Sequence, residues 1–190
     1  MANQDAPFGL RPVKSSTSSQ RQNRYRIASG YNTNIFQGDL VTVATSGTVV
    51  RVAAGDNALC LGVFNGCQYV DPNGNIIFSN HWPANATGTD IFANVIDDPS
   101  VLFEIQADAA MPVTDLFGNF DIVDATAGST VSGNSRTELD VTTGATTAGL
   151  PLKAIDISQD PENSDTATAN TNVIVKINNH LFSAGTVGLA

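Results

Sequence analysis

Two cysteines, two histidines and one adjacent pair of carboxylates are the residues with which this sequence could do chemistry. Cys60 and Cys67 are seven apart in CLGVFNGC, which is not the two-residue gap of a zinc or redox motif. Only His81 and His180, far apart in sequence, exist to complete a metal site. On one extended strand an odd separation points the two thiols to opposite faces unless the Gly66 region bulges, which disfavours a disulfide. The expectation is therefore two buried, unpaired thiols, suited to folding in a reducing compartment. Asp97 and Asp98 could bind calcium or act as a carboxylate pair. Pro99 and Ser100 follow them, however, and Asp in that setting hydrogen-bonds its own backbone in a turn. His81, in FSNHWPAN, reads as part of a turn packed on a sheet, and His180, in INNHLF, as a strand-end residue. No GxSxG elbow, phosphate-binding glycine loop or HExxH is present. No catalysis, no metal and no cofactor are expected.

What remains is binding, and the charges point to where. The 190 residues carry a formal net charge of −9. Residues 1–26 hold Arg11, Lys14, Arg21, Arg24 and Arg26 against Asp5 alone, so this segment carries +4 and the remainder −13. A basic arm on an acidic body is expected where the arm contacts a partner and the body faces solvent. Nucleic acid is a poor partner, because the body repels phosphate and five cations release few counterions. SSTSSQRQN at 15–23 has the composition of an extended segment that orders on a partner.

The elements that must position these residues are short strands. Runs of β-type residues bounded by turn signals predict strands at 25–28, 40–44, 48–53, 59–70, 76–79, 91–96, 101–107, 120–123, 138–142, 152–157 and 172–177. DLVTVATSGTVVRVAAGD reads as a hairpin closed at Ser46-Gly47. QYVDPNGNIIFS reads as another, with Gly74 free to take a positive φ. One short helix fits 108–118, with Pro112 early and Gly118 stopping it. The polar stretches 126–149 and 158–171 read as long exposed loops or a projecting hairpin. The prediction is an all-β chain: an extended arm at 1–26 and a single β-barrel or β-sandwich body of short antiparallel strands at 27–190.

Composition agrees. Charged residues are 14% and aromatics 7%, which excludes a coiled coil, a collagen or a highly charged disordered chain. No apolar run approaches the roughly 20 residues needed to cross a bilayer as a helix, so no membrane partner is expected. The opening MANQDAPFGL lacks the basic and apolar regions of a secretory signal, which leaves the glycosylation pattern Asn85-Ala86-Thr87 without meaning.

Several blocks, in order and spacing, carry a resemblance: DAPFGLRPV (5–13), RYRIASGYNTNIFQGDLV (24–41), LGVFNGCQYVD (61–71), FSNHWPA (78–84), DDPSVLFEIQAD (97–108) and VKINNHLF (175–182). Together they resemble head decoration, or capsid cement, proteins of tailed bacteriophages, particularly those infecting marine cyanobacteria and other aquatic bacteria. The resemblance implies a structural protein assembled in the bacterial cytoplasm that binds the major capsid protein on the outside of an expanded shell, often as a homotrimer. It also implies an N-terminal arm that lies on the shell, in which Phe8, Arg11, Lys14, Arg21, Arg24 and Arg26 are the expected capsid-binding set, with Phe8 or Tyr25 as a pocket anchor. On that view a chain without residues 1–26 keeps a folded body. Two other readings compete: a head fibre, minor shell or tail component, and a carbohydrate-binding β-sandwich stacking sugars on Trp82, Tyr69 and Tyr31.

Overall fold

The structure is a computed structural model that describes residues 3–15, 20–124 and 128–183. Each of the eleven expected strands has a counterpart in it. In chain order the strands are β1 (Arg11–Lys14), β2 (Gln22–Arg26), β3 (Ile35–Phe36), β4 (Leu40–Val43), β5 (Val49–Arg51), β6 (Gly62–Val70) and β7 (Ile76–Ser79), followed by β8 (His81–Trp82), β9 (Thr89–Ile96), β10 (Leu102–Gln106), β11 (Asn119–Val123), β12 (Glu138–Ala145), β13 (Leu152–Ile157) and β14 (Asn172–Ile177). β1, β3 and β8 were not expected. The short helix reduces to a 3-10 turn at Val113–Asp115 behind Pro112.

Three antiparallel sheets result. Sheet A runs β1-β10-β14-β13-β11-β12; sheet B runs β2-β9-β6-β4-β5, with β7 also on β6; β3 and β8 form a two-stranded sheet C. A single bridge between Ala107 and Leu139 brings β12 near the end of β10, but β1 occupies that edge of β10. The sheets therefore do not close into a barrel, and the body is sandwich-like. Alternation places Phe103, Ile105, Val173 and Val175 of sheet A in a main core, which Leu40, Val63 and Ile96 of sheet B complete. The opposite face of sheet B builds a second core from Val41, Phe64, Val95, Ile35 and Trp82.

Residues 1–26 are not a detached arm in their described part. β1 pairs with β10, and β2 pairs with β9 over five residue pairs. Leu10 is buried in the main core, and Ala6 donates its N–H to Gln106 Oε1 at 2.9 Å. The physical reason is local supply: β10 and β9 each have an edge with unsatisfied backbone groups, and this chain's own N-terminal segment satisfies them. Gly9 makes the entry possible at φ +71°, where a Cβ would lie 2.6 Å from that of Ser135.

The polar loops are also less free than their composition predicts. Around residues 128–135 the chain is tied to Gln37, which donates to Gly133 O and accepts from Ser135 N–H, both at 2.9 Å. In 158–171, Asn163 and Thr171 are buried, and Asn163 Nδ2 donates to Gln4 O at 2.8 Å. Residues 125–127 lie outside the described residues.

Candidate binding face

The face of sheet B that meets sheet A does so at one end only. Beyond Leu40, Val63 and Ile96 no strand among the described residues covers the same face. Its register lines up Arg26, Phe92, Gln68 and Phe78 across β2, β9, β6 and β7. Arg24 lies beside them and donates from Nη2 to Gln68 Oε1 at 2.7 Å. The Arg24 and Arg26 guanidinium carbons stand 4.7 and 5.2 Å from the centre of the Phe92 ring, cation–π contacts that hold both cations over an aromatic base. Phe78 is 75% exposed and Ile76, on the same face, 61%. The result is an open surface, cationic at the β2 edge and apolar at the β7 edge, with no acidic side chain in that row.

Two local features aim these side chains. Phe64 and Cys67 both face the second core, although an odd separation should send them to opposite sides. A bulge between them, with Gly66 at φ +100°, restores the parity. Gln68 is thereby turned outward, and with it Phe78 opposite. The β6–β7 turn is held by Asp71 Oδ1, which accepts the N–H groups of Asn73 at 2.9 Å and Asn75 at 2.8 Å. The Asn75 side-chain amide, which donates to Asp71 Oδ2 at 3.0 Å, and then these backbone bonds lower the Asp71 pKa.

The six expected capsid-binding residues do not form one set. Arg24 and Arg26 lie on this face. Arg11 pairs with Glu104 and sits 4.5 Å over the Phe8 ring at the β1 edge of sheet A, and Lys14, exposed, ends the same strand. Arg21 is structural: its Nε donates to Asp97 Oδ1 at 3.0 Å and its Nη2 to the Asp97 carbonyl at 2.7 Å. Asp97 is fully buried. It also accepts from Asn23 Nδ2 at 2.8 Å and from the Tyr25 hydroxyl. Burial and that bond to Asp97 raise the Tyr25 pKa, and the bond ties the hydroxyl to the buried carboxylate. Phe92, Gln68, Ile76 and Phe78 went unassigned in the sequence, where the three consecutive apolar residues of IIFS carry no inward–outward alternation.

Other candidates resolve differently. Asp98 forms the expected turn, accepting from the N–H and hydroxyl of Ser100 at 2.9 and 2.7 Å. His81 stacks on Phe36 at 5.8 Å. Among the described residues no three His, Cys, Asp or Glu side chains come together to hold a metal ion. Cys60 and Cys67 are buried and unpaired, one in each core, and burial pushes both thiols up to about 12. Trp82 is fully buried, with the Tyr69 ring edge-on at 5.2 Å. It is core and offers no platform to a sugar.

Two buried groups make stability depend on pH in opposite senses. Burial raises Asp39 to about 6, although it accepts from Phe36 N–H at 2.8 Å and the Ser135 hydroxyl at 2.6 Å. Burial lowers His180 to about 4; its Nδ1 accepts Phe182 N–H at 3.0 Å and its Nε2 has no partner among the described residues. Asp39 binds its proton more tightly folded than unfolded, so its contribution grows as pH falls from 7 through 6. His180 binds its proton more tightly unfolded, so stability is lost as pH falls from 6.5 towards 4. Asp39→Asn removes the first contribution. Urea denaturation from pH 7 to 4.5 is expected to show the variant losing about 2 kcal/mol more stability than the natural chain. Parallel profiles would refute this pairing.

No protein-family model, no curated protein and no solved structure matches this chain.

Proposed function

We propose that this chain is a structural virion protein, a head decoration protein of a tailed bacteriophage, which binds the outer surface of the assembled capsid and stabilises it. The observation that carries the proposal is the uncovered half of sheet B: a continuous row of Arg26, Phe92, Gln68 and Phe78, cationic and apolar, on a chain of net charge −9. A contact of this type buries aromatic anchors within a rim of charge. The ordered sequence blocks that resemble decoration proteins support it.

The mechanism is linkage. A protein that binds the expanded shell and not its dissociated subunits stabilises the shell by mass action, and clustered copies add avidity, so each contact can be weak. The contact proposed here uses a rigid sheet face, because the N-terminal segment is engaged in the body's own sheets.

Co-sedimentation of the purified chain with expanded shells tests this. Arg24→Glu combined with Arg26→Glu changes two exposed side chains on β2 and is expected to weaken binding at least about tenfold, or 1.4 kcal/mol. Binding of the natural chain is expected to weaken as salt rises. A natural chain that stays in the supernatant, or a variant that binds equally well, rules the proposal out. Many copies on the head would separate decoration from a fibre or tail role, which calls for a handful.

A further inference from the structure

β7 is an edge strand without the usual protection. Among the described residues no strand pairs with its far side. Its sequence, IIFS, has no charge and no proline, whereas natural edges are normally blunted by Lys, Pro or a bulge. The direction of its backbone groups follows from the ladder. Ile27 donates its N–H to Ile91 O at 3.4 Å, so Ile91 turns towards β2 and Phe92 towards β6. Gln68, opposite Phe92, turns towards β9. Phe78, opposite Gln68, therefore points its N–H and C=O away from β6, as does Ile76 two residues earlier.

We infer that the β7 edge pairs, antiparallel and about a two-fold axis, with β7 of a second copy of this chain. Self-complementarity and charge select that occupant. A register centred on Ile77 sets Ile76 of each copy opposite Phe78 of the other. In that register the outward N–H and C=O groups of these two residues satisfy one another, and all four apolar side chains meet on one face. A register centred on Phe78 would instead need Asn80, which is crowded by the turn at Gly133, where a Cβ would lie 2.7 Å from that of Asn80. Two copies of net charge −9 repel, and β7 is a seam where they meet without opposing like charges. Val131, 97% exposed, borders the same groove as Phe78 and Ser79 and is covered as the second strand arrives. A four-residue strand falls well short of the roughly 800 Å² per partner of a stable interface, so pairing in free solution is weak and strengthens where copies are crowded. This two-fold contact is separate from any three-fold clustering and does not depend on capsid binding.

Register-specific cross-linking of the full chain tests it. Cys60 and Cys67 are buried, so an introduced thiol is the reactive one. Opposed residues in such a ladder have Cα atoms about 4.5–5.5 Å apart, within the reach of a disulfide. Ile76→Cys and Phe78→Cys both fall at exposed positions. Mixed in equal amounts under mild oxidation, they are expected to give several-fold more cross-linked dimer than either variant alone. Phe78→Lys is expected to abolish concentration-dependent sedimentation of the natural chain. Equal yields in mixed and single samples, or a natural chain that sediments as a monomer at every concentration, overturns the inference.

Discussion

A chain that begins at residue 27 is expected to lose cooperative folding. The strongest cause is Asp97. This carboxylate is fully buried, and three of its donors, Arg21, Asn23 and Tyr25, all come from the segment removed. A buried charge stripped of its partners costs about 3–5 kcal/mol. Leu10 leaves the main core at the same time, a loss of about 2–5 kcal/mol for a buried leucine, and the edges of β10 and β9 are laid open. Set against a typical total of about 5–15 kcal/mol, these losses bring the truncated chain to the margin of stability or below it. Urea denaturation followed by circular dichroism is the measurement. A truncated protein with an intact cooperative transition near the natural midpoint would show that β1 and β2 contribute little. The outcome also bears on binding: loss of capsid attachment on truncation would report unfolding, so Arg24→Glu with Arg26→Glu is the cleaner probe of the contact.

The strand pattern was legible because alternation and turn chemistry are local. DPNGN announces its own turn, and eleven runs of β-type residues announce their own strands. β3 and β8 were not legible, since two residues carry no period. β1 was hidden by Pro12 and by a charge pattern that suggested exposure. The concentration of cations in residues 1–26 was equally plain, but charge alone does not separate a cation that meets a partner from one that neutralises a buried acid. Arg21 and Asp97 lie 76 positions apart, and nothing near either residue names the other. Asp98 shows the contrast: its partner, Ser100, is two residues on, and its turn was foreseen. The binding face depends on long-range register as well. Without the bulge at Gly66, Gln68 would face the second core, and the side of β7 that carries Phe78 would turn inward with it.

Trp82→Ala is expected to cost about 3–5 kcal/mol, the range for removing a fully buried large aromatic side chain. Trp82 has no exposed surface, sits in a two-residue strand paired with Ile35 and Phe36, meets Tyr69 edge-on and donates its indole N–H to Tyr31 O at 3.4 Å. It fills the second core, directly behind the sheet whose outer half is the candidate binding face. Its removal therefore leaves a cavity under that face, while the Tyr31 carbonyl keeps the Asn85 N–H at 2.7 Å. Phe78, four residues earlier, makes the control: at 75% exposed, Phe78→Ala is expected to change stability by no more than about 0.5 kcal/mol while weakening association of copies through β7. Urea midpoints of the two variants separate these roles. A Trp82→Ala loss below about 1 kcal/mol would mean that the second core collapses around the gap, and that the rigidity of the open half of sheet B comes from its own ladder and not from the packing beneath it.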